Sequence, residues 1–328
     1  MPRALLLALV SAVLGAVAVA QQNPPSSDFE VIKVQGHVYV VIGAGGNVVV
    51  QVGDEGVLVV DTGLEANAAK LLATIKKLGG DKPIRFVINT HVHADHTGGN
   101  ATIKAAGQDI IAGNVAFDVG GDRATGAALI AQENVLNRMS APTGSQSPTP
   151  SSAWPTETFF NDENDLFYND ESVQMFAQPS AHTDGDAMVF FRKSDVLATG
   201  DVFVTTSYPI IDVARGGSIN GIIAALNHII DITVPRDKQE GGTMVIPGHG
   251  RICDEADVVD YRDMVTIIRD RVQKMIKDGL TLDRVKAARP TRDYDGRYGA
   301  ATGFWTTDMF VEAVYRTLSQ PVSAAPRR

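Results

Sequence analysis

Cysteine is almost missing from this chain of 328 residues: Cys253 is the only one. One thiol cannot close an intramolecular disulfide, and no metal site with two thiolate ligands can form. Basic charge is in deficit as well, with 38 Asp+Glu against 29 Lys+Arg and a formal net charge of −9. That balance excludes a nucleic-acid backbone as the main partner, which requires a basic stripe. After residue 20 no stretch approaches the ~18 uninterrupted apolar residues of a membrane span. No Gly-x-Ser-x-Gly elbow occurs, so nothing points to a nucleophilic serine. No internal repeat is found. Gly and Pro are spread along the chain apart from Ser140 to Pro155, which holds four Pro and five Ser. No clear linker therefore divides it. What is plentiful is apolar residue, 44% against 20% charged, enough for a packed core and too much for wholesale disorder.

Met1 to Ala20 reads as a secretory signal. Arg3 supplies the positive start, Ala4 to Val19 is apolar apart from Ser11 and Gly15, and Ala18-Val19-Ala20 has the small-x-small cleavage pattern. Cleavage is expected after Ala20, giving a periplasmic or secreted protein. An uncleaved anchor is the alternative reading of the same run; its Ala-rich composition and processing pattern favour cleavage. Gln21, not cysteine, stands directly after Ala20, which removes a lipoprotein anchor. Loss of Arg3 takes the mature charge from −9 to −10.

Short β-branched runs come next at Phe29–Val34, Val38–Ile42, Asn47–Val52 and Val57–Val60, separated by glycine turns. This spacing predicts an antiparallel meander. Ala66 to Leu78 has helical periodicity and stops at Gly79-Gly80, and Ile84–Asn89 returns to strand. Further on, the pattern predicts helices at Asn100–Ala106, Ala124–Met139, Ile219–Ile230, Ala256–Lys277 and Gly303–Leu318. Short strands are expected at Asp109–Ala112, Glu157–Phe160, Val173–Ala177, Ala187–Phe191, Val196–Thr199 and Met244–Ile246. Two such mixed sets suggest a four-layer αββα sandwich, an α/β (α+β) fold with two central sheets. The expected organisation is a signal over 1–20, one domain over 21–253 and a helical extension over 254–320 packed on it.

Four potential ligands crowd into six residues at His91-Val92-His93-Ala94-Asp95-His96, directly after an expected strand and before Gly98-Gly99. Imidazole and carboxylate suit zinc and neighbouring divalent ions. Three more stations stand at expected strand ends beside glycine: His182, Asp201 and His249. Asp61 closes the meander. The remaining histidines fit no station; His37 reads as a strand-entry residue and His228 as a packing or surface residue on a helix. Cys253 reads as a quiet buried thiol.

The order Asp61, His91-x-His93-x-Asp95-His96, His182, Asp201, His249 resembles the metallo-β-lactamase-fold hydrolase superfamily over roughly Phe29 to Arg251. The tail, including Lys286-Ala287-Ala288-Arg289-Pro290 and Val311-Glu312-Ala313-Val314-Tyr315, is similar to exported cyclase-like or quinoprotein-relay members. The resemblance implies two Zn2+, with Fe or Mn as alternatives. His91, His93 and His182 would hold the first ion; Asp95, His96 and His249 the second; Asp201 would bridge them. Asp61 would orient the metal-binding loop. A metal-bridging hydroxide would then attack an ester, lactone, thioester or amide, with Asp95 and Asp201 in catalytic roles. A β-lactamase proper, or a mononuclear iron persulfide dioxygenase, are the alternatives on the same fold.

The substrate is expected to be a small molecule, and specificity to come from loops. Ala116 to Pro155 is the candidate lid. Trp154 and Tyr208 are candidate substrate contacts, with Phe159 and Phe160 as possible pocket lining or core. The backbone amides of Arg215-Gly216-Gly217 could meet a substrate carboxylate, or form an ordinary helix-entry turn.

Overall fold

The computed structural model describes residues 28–108, 126–141, 149–238 and 241–319. The expected signal and the expected strand at Asp109–Ala112 lie outside them. Seven strands form the first sheet in sequence order: β1 Glu30–Gln35, β2 Val38–Ile42, β3 Val48–Val52, β4 Val57–Val60, β5 Ile84–Ile88, β6 Ala128–Gln132 and β7 Glu157–Phe159. β1 to β4 run antiparallel and β4 to β7 parallel. The second sheet is ordered β12-β11-β10-β9-β8, from β8 Glu163–Tyr168, β9 Glu171–Gln178, β10 Asp186–Phe191, β11 Val196–Ala198 and β12 Met244–Ile246. Only its β11–β12 pair is parallel.

The two sheets face each other through Val49, Leu58, Val60 and Phe86 on one side and Val173, Met175, Val189 and Phe191 on the other. The outer face of the first sheet carries Val48, Val50, Val57 and Val59. It is covered by Leu71 and Ile75 of α1 (Ala68–Gly79) and Ile103 of α3 (Asn100–Ala105). A short α2, Ala94–Thr97, precedes α3. β3 and β4 are buried on both faces, which is why they read as continuous valine runs without alternation. The outer face of the second sheet is covered by α5 (Ile219–Ile232), α6 (Glu255–Lys277) and α9 (Thr307–Ser319). α4 (Glu133–Ser140), α7 (Leu282–Ala288) and α8 (Asp295–Tyr298) complete the helices among the described residues. The architecture is the αββα sandwich. α6 starts on a reciprocal cap between Asp254 and Asp257, the arrangement that satisfies two orphan amides at once. It packs on α5 and α9 in one continuous core.

Three expectations need correction. Ala124–Met139 is not one helix. Ala128–Gln132 is β6, lying between β5 and β7 in register Val87↔Leu129 and Ile88↔Ile130, and only 133–140 is helical. A short apolar run cannot be told from a helix turn by periodicity, and pairing with two parallel neighbours decides it. β8 was not expected, because on this edge strand Phe167 shares the exposed face with Glu163 and Asp165 while Asn164 sits on the inner face with Leu166 and Tyr168, so polar and apolar residues do not alternate. The last helix begins at Thr307. Residues 299–306 are irregular instead, with Gly303 at φ +110°.

Candidate metal centre

All the stations gather at one edge of the sandwich. Asp61 follows β4, the 91–96 run follows β5, Asp201 follows β11 and His249 follows β12. These are the carboxyl ends of strands with parallel neighbours, where open sheets leave a crevice. His182 joins them from the loop between β9 and β10. Chain geometry aims the run: His93 is extended and caps α2, so Asp95 and His96 fall in its first turn.

Three groups of donors form. His91, His93 and His182 are one; Asp95, His96 and His249 are another; His91, His96 and Asp201 lie between them, each group within 4.8 Å. Asp201 Oδ1 is 3.3 Å from His96 Nε2, and its Oδ2 is 3.8 Å from His182 Nε2. His249 Nε2 is 3.1 Å from Asp95 Oδ2.

Each deeper imidazole is held by its other nitrogen. Nδ1 of His182 donates to the Ile210 carbonyl at 2.6 Å. Nε2 of His93 donates to Asp212 at 2.9 Å, which leaves Nδ1 facing His182. Nδ1 of His96 donates to Asp61 at 2.7 Å. The Thr90 hydroxyl donates to Asp61 Oδ2 at 2.7 Å and lies 3.0 Å from His91 Nδ1. Having given its proton to the carboxylate, that hydroxyl accepts from Nδ1–H, so His91 presents the Nε2 lone pair inward. Such partners fix the tautomer and orientation of metal-binding histidines. Asp61 itself adopts φ +63°, a conformation Asp tolerates better than most residues.

Two glycines make room. A Cβ on Gly46 would overlap the His96 ring, and one on Gly248 would overlap Oδ1 of Asp201.

The electrostatics fit a cation. Burial, helped by the charges of His96 and His182, holds His91 well below the ordinary imidazole value. Burial likewise takes His182 down to about 4, against the pull of Asp201. Burial opposes charge on His96, but Asp201 and Asp61 outweigh it and raise its pKa well above the ordinary value. Burial also works against ionised Asp201, and the neighbouring His96 overrides it, holding the carboxyl well below the usual range. Nε2 of His91 and Oδ1 of Asp201 are buried with no hydrogen-bond partner. An unsatisfied buried polar atom costs about 1–3 kcal/mol. A bound divalent ion would give such atoms a partner, so the donor set fits a divalent metal.

A family model described as the metallo-beta-lactamase superfamily matches residues 41–249. The chain belongs to that superfamily. The fold of this superfamily member is shared by solved structures. One is the stereoselective inverting sec-alkylsulfatase Pisa1 from Pseudomonas sp., with TM-score 0.62 and 16% identity over 92% of this chain and 52% of that one. The chain thus spans about half the length of that sulfatase. The metallo-beta-lactamase from Pontibacter korlensis gives TM-score 0.53 and 16% identity over 73% of this chain and 99% of that one. The DIM-1 metallo-beta-lactamase gives 0.51 and 17% over 73% and 97%. A sequence search of curated proteins finds no match. Superfamily members are metal-dependent hydrolases, and this one carries a His/Asp cluster able to hold a divalent metal.

The other expected site residues fall elsewhere. Trp154 packs with Val92 on α4 and donates its indole N–H to Thr149. It does not line the cavity over the metal centre. Tyr208 is buried, stacked on Phe310 at 4.7 Å, with its hydroxyl 3.0 Å from Asp295 Oδ1 and 3.1 Å from the Thr291 carbonyl. It belongs to the core. Phe159 is core and Phe160 is exposed. Amides 215–217 are already bonded to Asp212 and Val213, so they are not free for a ligand. Parts of the expected lid, 116–125 and 142–148, lie outside the described residues. Of the rest, β6 and α4 are packed elements, and the described cavity walls come from 204–215 and 304–309. His37 is in the turn between β1 and β2. His228 packs edge-on to Phe176 and bonds Gln178.

Sequence reasoning missed Thr90, Ile210 and Asp212, as well as Phe304, Trp305 and Met309 on the cavity wall. Asp212 stands alone between Ile211 and Val213, a pattern with no ligand spacing to read.

Proposed function

We propose that this protein is an exported dinuclear zinc hydrolase of an ester, lactone, thioester or amide. His91, His93 and His182 would hold one ion and Asp95, His96 and His249 the other, with Asp201 shared by the two and Asp61 orienting His96. The observation that carries this reading is the pair of buried orphan atoms, His91 Nε2 and Asp201 Oδ1, both in the His91, His96 and Asp201 group that joins the two triads. An all His/carboxylate set favours zinc over softer ions. The apolar, Arg3-led run ending at Ala18-Val19-Ala20 supports export.

Bound there, two such ions lower the pKa of a water towards neutrality and polarise a carbonyl. The chain supplies the rest. Asp95 lines the cavity and its side chain is 34% exposed; with Oδ2 turned to His249 and His96, its other oxygen, Oδ1, can accept a proton from incoming water. The fixed imidazoles need no reorganisation during reaction. Hydrolysis adds the elements of one water across the scissile bond, releasing acid and alcohol, thiol or amine.

Metal analysis with a substrate panel tests the proposal. About two zinc ions per chain are expected, with turnover of an activated ester or lactone that His93→Ala or Asp201→Ala abolishes. One iron with oxygen uptake on a persulfide would overturn it in favour of the dioxygenase. Exclusive turnover of a cephalosporin-type lactam would narrow it to a β-lactamase.

A further inference from the structure

The cavity over the metal centre holds about 600 Å³ and is asymmetric. Its floor carries His93, Asp95, His182, Asp201 and His249. Its apolar lining comes from two segments, Ile210, Ile211 and Val213 in one and Phe304, Trp305 and Met309 in the other, with the polar Thr206, Ser207 and Asp212 beside them. Phe304 and Met309 are 82% and 43% exposed, unusual for large apolar side chains at a cavity mouth unless an apolar ligand covers them.

Among the described residues lining this cavity, Arg215 is the only Lys or Arg. It is fixed at one nitrogen, with Nη1 donating to Asp212 Oδ2 at 2.6 Å. The same carboxylate oxygen holds His93 at 2.9 Å. The remaining guanidinium N–H groups have no partner among the described residues. Arg215 is therefore tied through Asp212 to His93, and its side chain lines the cavity while remaining 41% exposed. A planar guanidinium held this way is built to take a carboxylate or an oxyanion of similar shape.

We infer that the substrate is an amphiphilic anion. It carries a scissile acyl bond at one end, an apolar body, and a carboxylate or like oxyanion removed from that bond. The anion pairs with Arg215, and the body lies between the 210–213 and 304–309 walls. This rests on the proposed hydrolase reading for the bond cleaved, but the binding claim stands independently of it.

The test uses the zinc-loaded full chain and matched pairs of p-nitrophenyl esters. One of each pair is the half-ester of a five- to nine-carbon diacid, the other the ester of a monoacid of equal length. The expected ratio of kcat/KM, half-ester over neutral ester, is ten or more at low salt and is carried by KM. Arg215→Gln brings that ratio to about one, and Arg215→Lys restores part of it. Damage transmitted through Asp212 and His93 cancels in the ratio. Phe304→Ala, at an exposed site, flattens the gain of about fourfold per methylene expected for apolar burial. A wild-type ratio of one or less, or a ratio that Arg215→Gln leaves unchanged, overturns the inference.

Equilibrium binding of octanesulfonate gives a readout that needs no turnover. It is followed by Trp305 fluorescence in a Trp154→Phe background, since the chain has only these two tryptophans. Arg215→Gln should weaken it at least tenfold. If no ester is cleaved but this loss is seen, the hydrolase reading fails and the ligand class stands. If esters are cleaved and octanesulfonate binds equally to both proteins, the ligand class fails alone.

Discussion

One carboxylate oxygen of Asp61 serves two sides of the centre: Oδ2 lies 2.7 Å from His96 Nδ1 and 2.7 Å from the Thr90 hydroxyl. Thr90 in turn sets His91, so a residue that touches no metal orients one ligand from each triad. Oδ1 accepts from the Thr90 N–H at 2.8 Å as well, so Asp61→Asn keeps the size but offers one acceptor oxygen where two are used. The expected result is a 10–100-fold loss of metal affinity, in the range typical of such partners. Chelator competition measures it; wild-type affinity at both positions would refute the role.

Gly46→Ala places a methyl where the His96 ring stands. The ring must move from its place between Asp61 and the cluster. On the proposed two-ion reading, the ion of the Asp95, His96 and His249 group should be lost first, read as a drop from two towards one ion per chain by elemental analysis. Unchanged stoichiometry and affinity would show that the ring yields without cost.

Tyr208→Phe separates packing from catalysis. The ring stays stacked on Phe310, but the hydroxyl no longer meets Asp295 and Thr291. A loss of about 0.5–1.5 kcal/mol in urea unfolding is expected, with kcat and KM within twofold of wild type. A tenfold rise in KM would instead restore Tyr208 to the substrate.

Burial, with Asp257 alongside, pushes the Cys253 thiol up to about 12 from an ordinary 9.0. The folded chain therefore keeps this proton where the unfolded chain has lost it. The stability it contributes is complete below about pH 9 and declines as pH rises towards 12, because there the native state binds more protons. Native protein at pH 8 should resist thiol-labelling reagents and react on unfolding, since the thiolate is the reactive form. Rapid labelling of the folded protein at pH 8 would contradict this.

The metal cluster was legible in sequence because ligands with fixed spacing at strand ends leave a pattern in one dimension. The meander and α1 were legible for the same reason, through glycine turns and a helical period. β6 was not, since Ala128–Gln132 is told from a helix only by its neighbours β5 and β7. Asp212 and Ile210 were not, since their contacts to His93 and His182 span 119 and 28 residues. The cavity wall from 304 to 309 was not, since an irregular segment after a glycine carries no periodicity to say where it folds back.

The tail has a consequence for where this protein can be divided. The superfamily match ends at residue 249, yet the loop that holds His93 and His182 rests on the helices after that point. Tyr261 donates its hydroxyl to the Ser207 carbonyl, Tyr208 N–H bonds to the Tyr298 carbonyl, and Phe310 underlies the Tyr208 ring. A chain ended at 253 would keep every ligand and lose the floor beneath Ile210 and Asp212. Weaker metal binding by such a chain would be a defect of the scaffolding and not of the ligands.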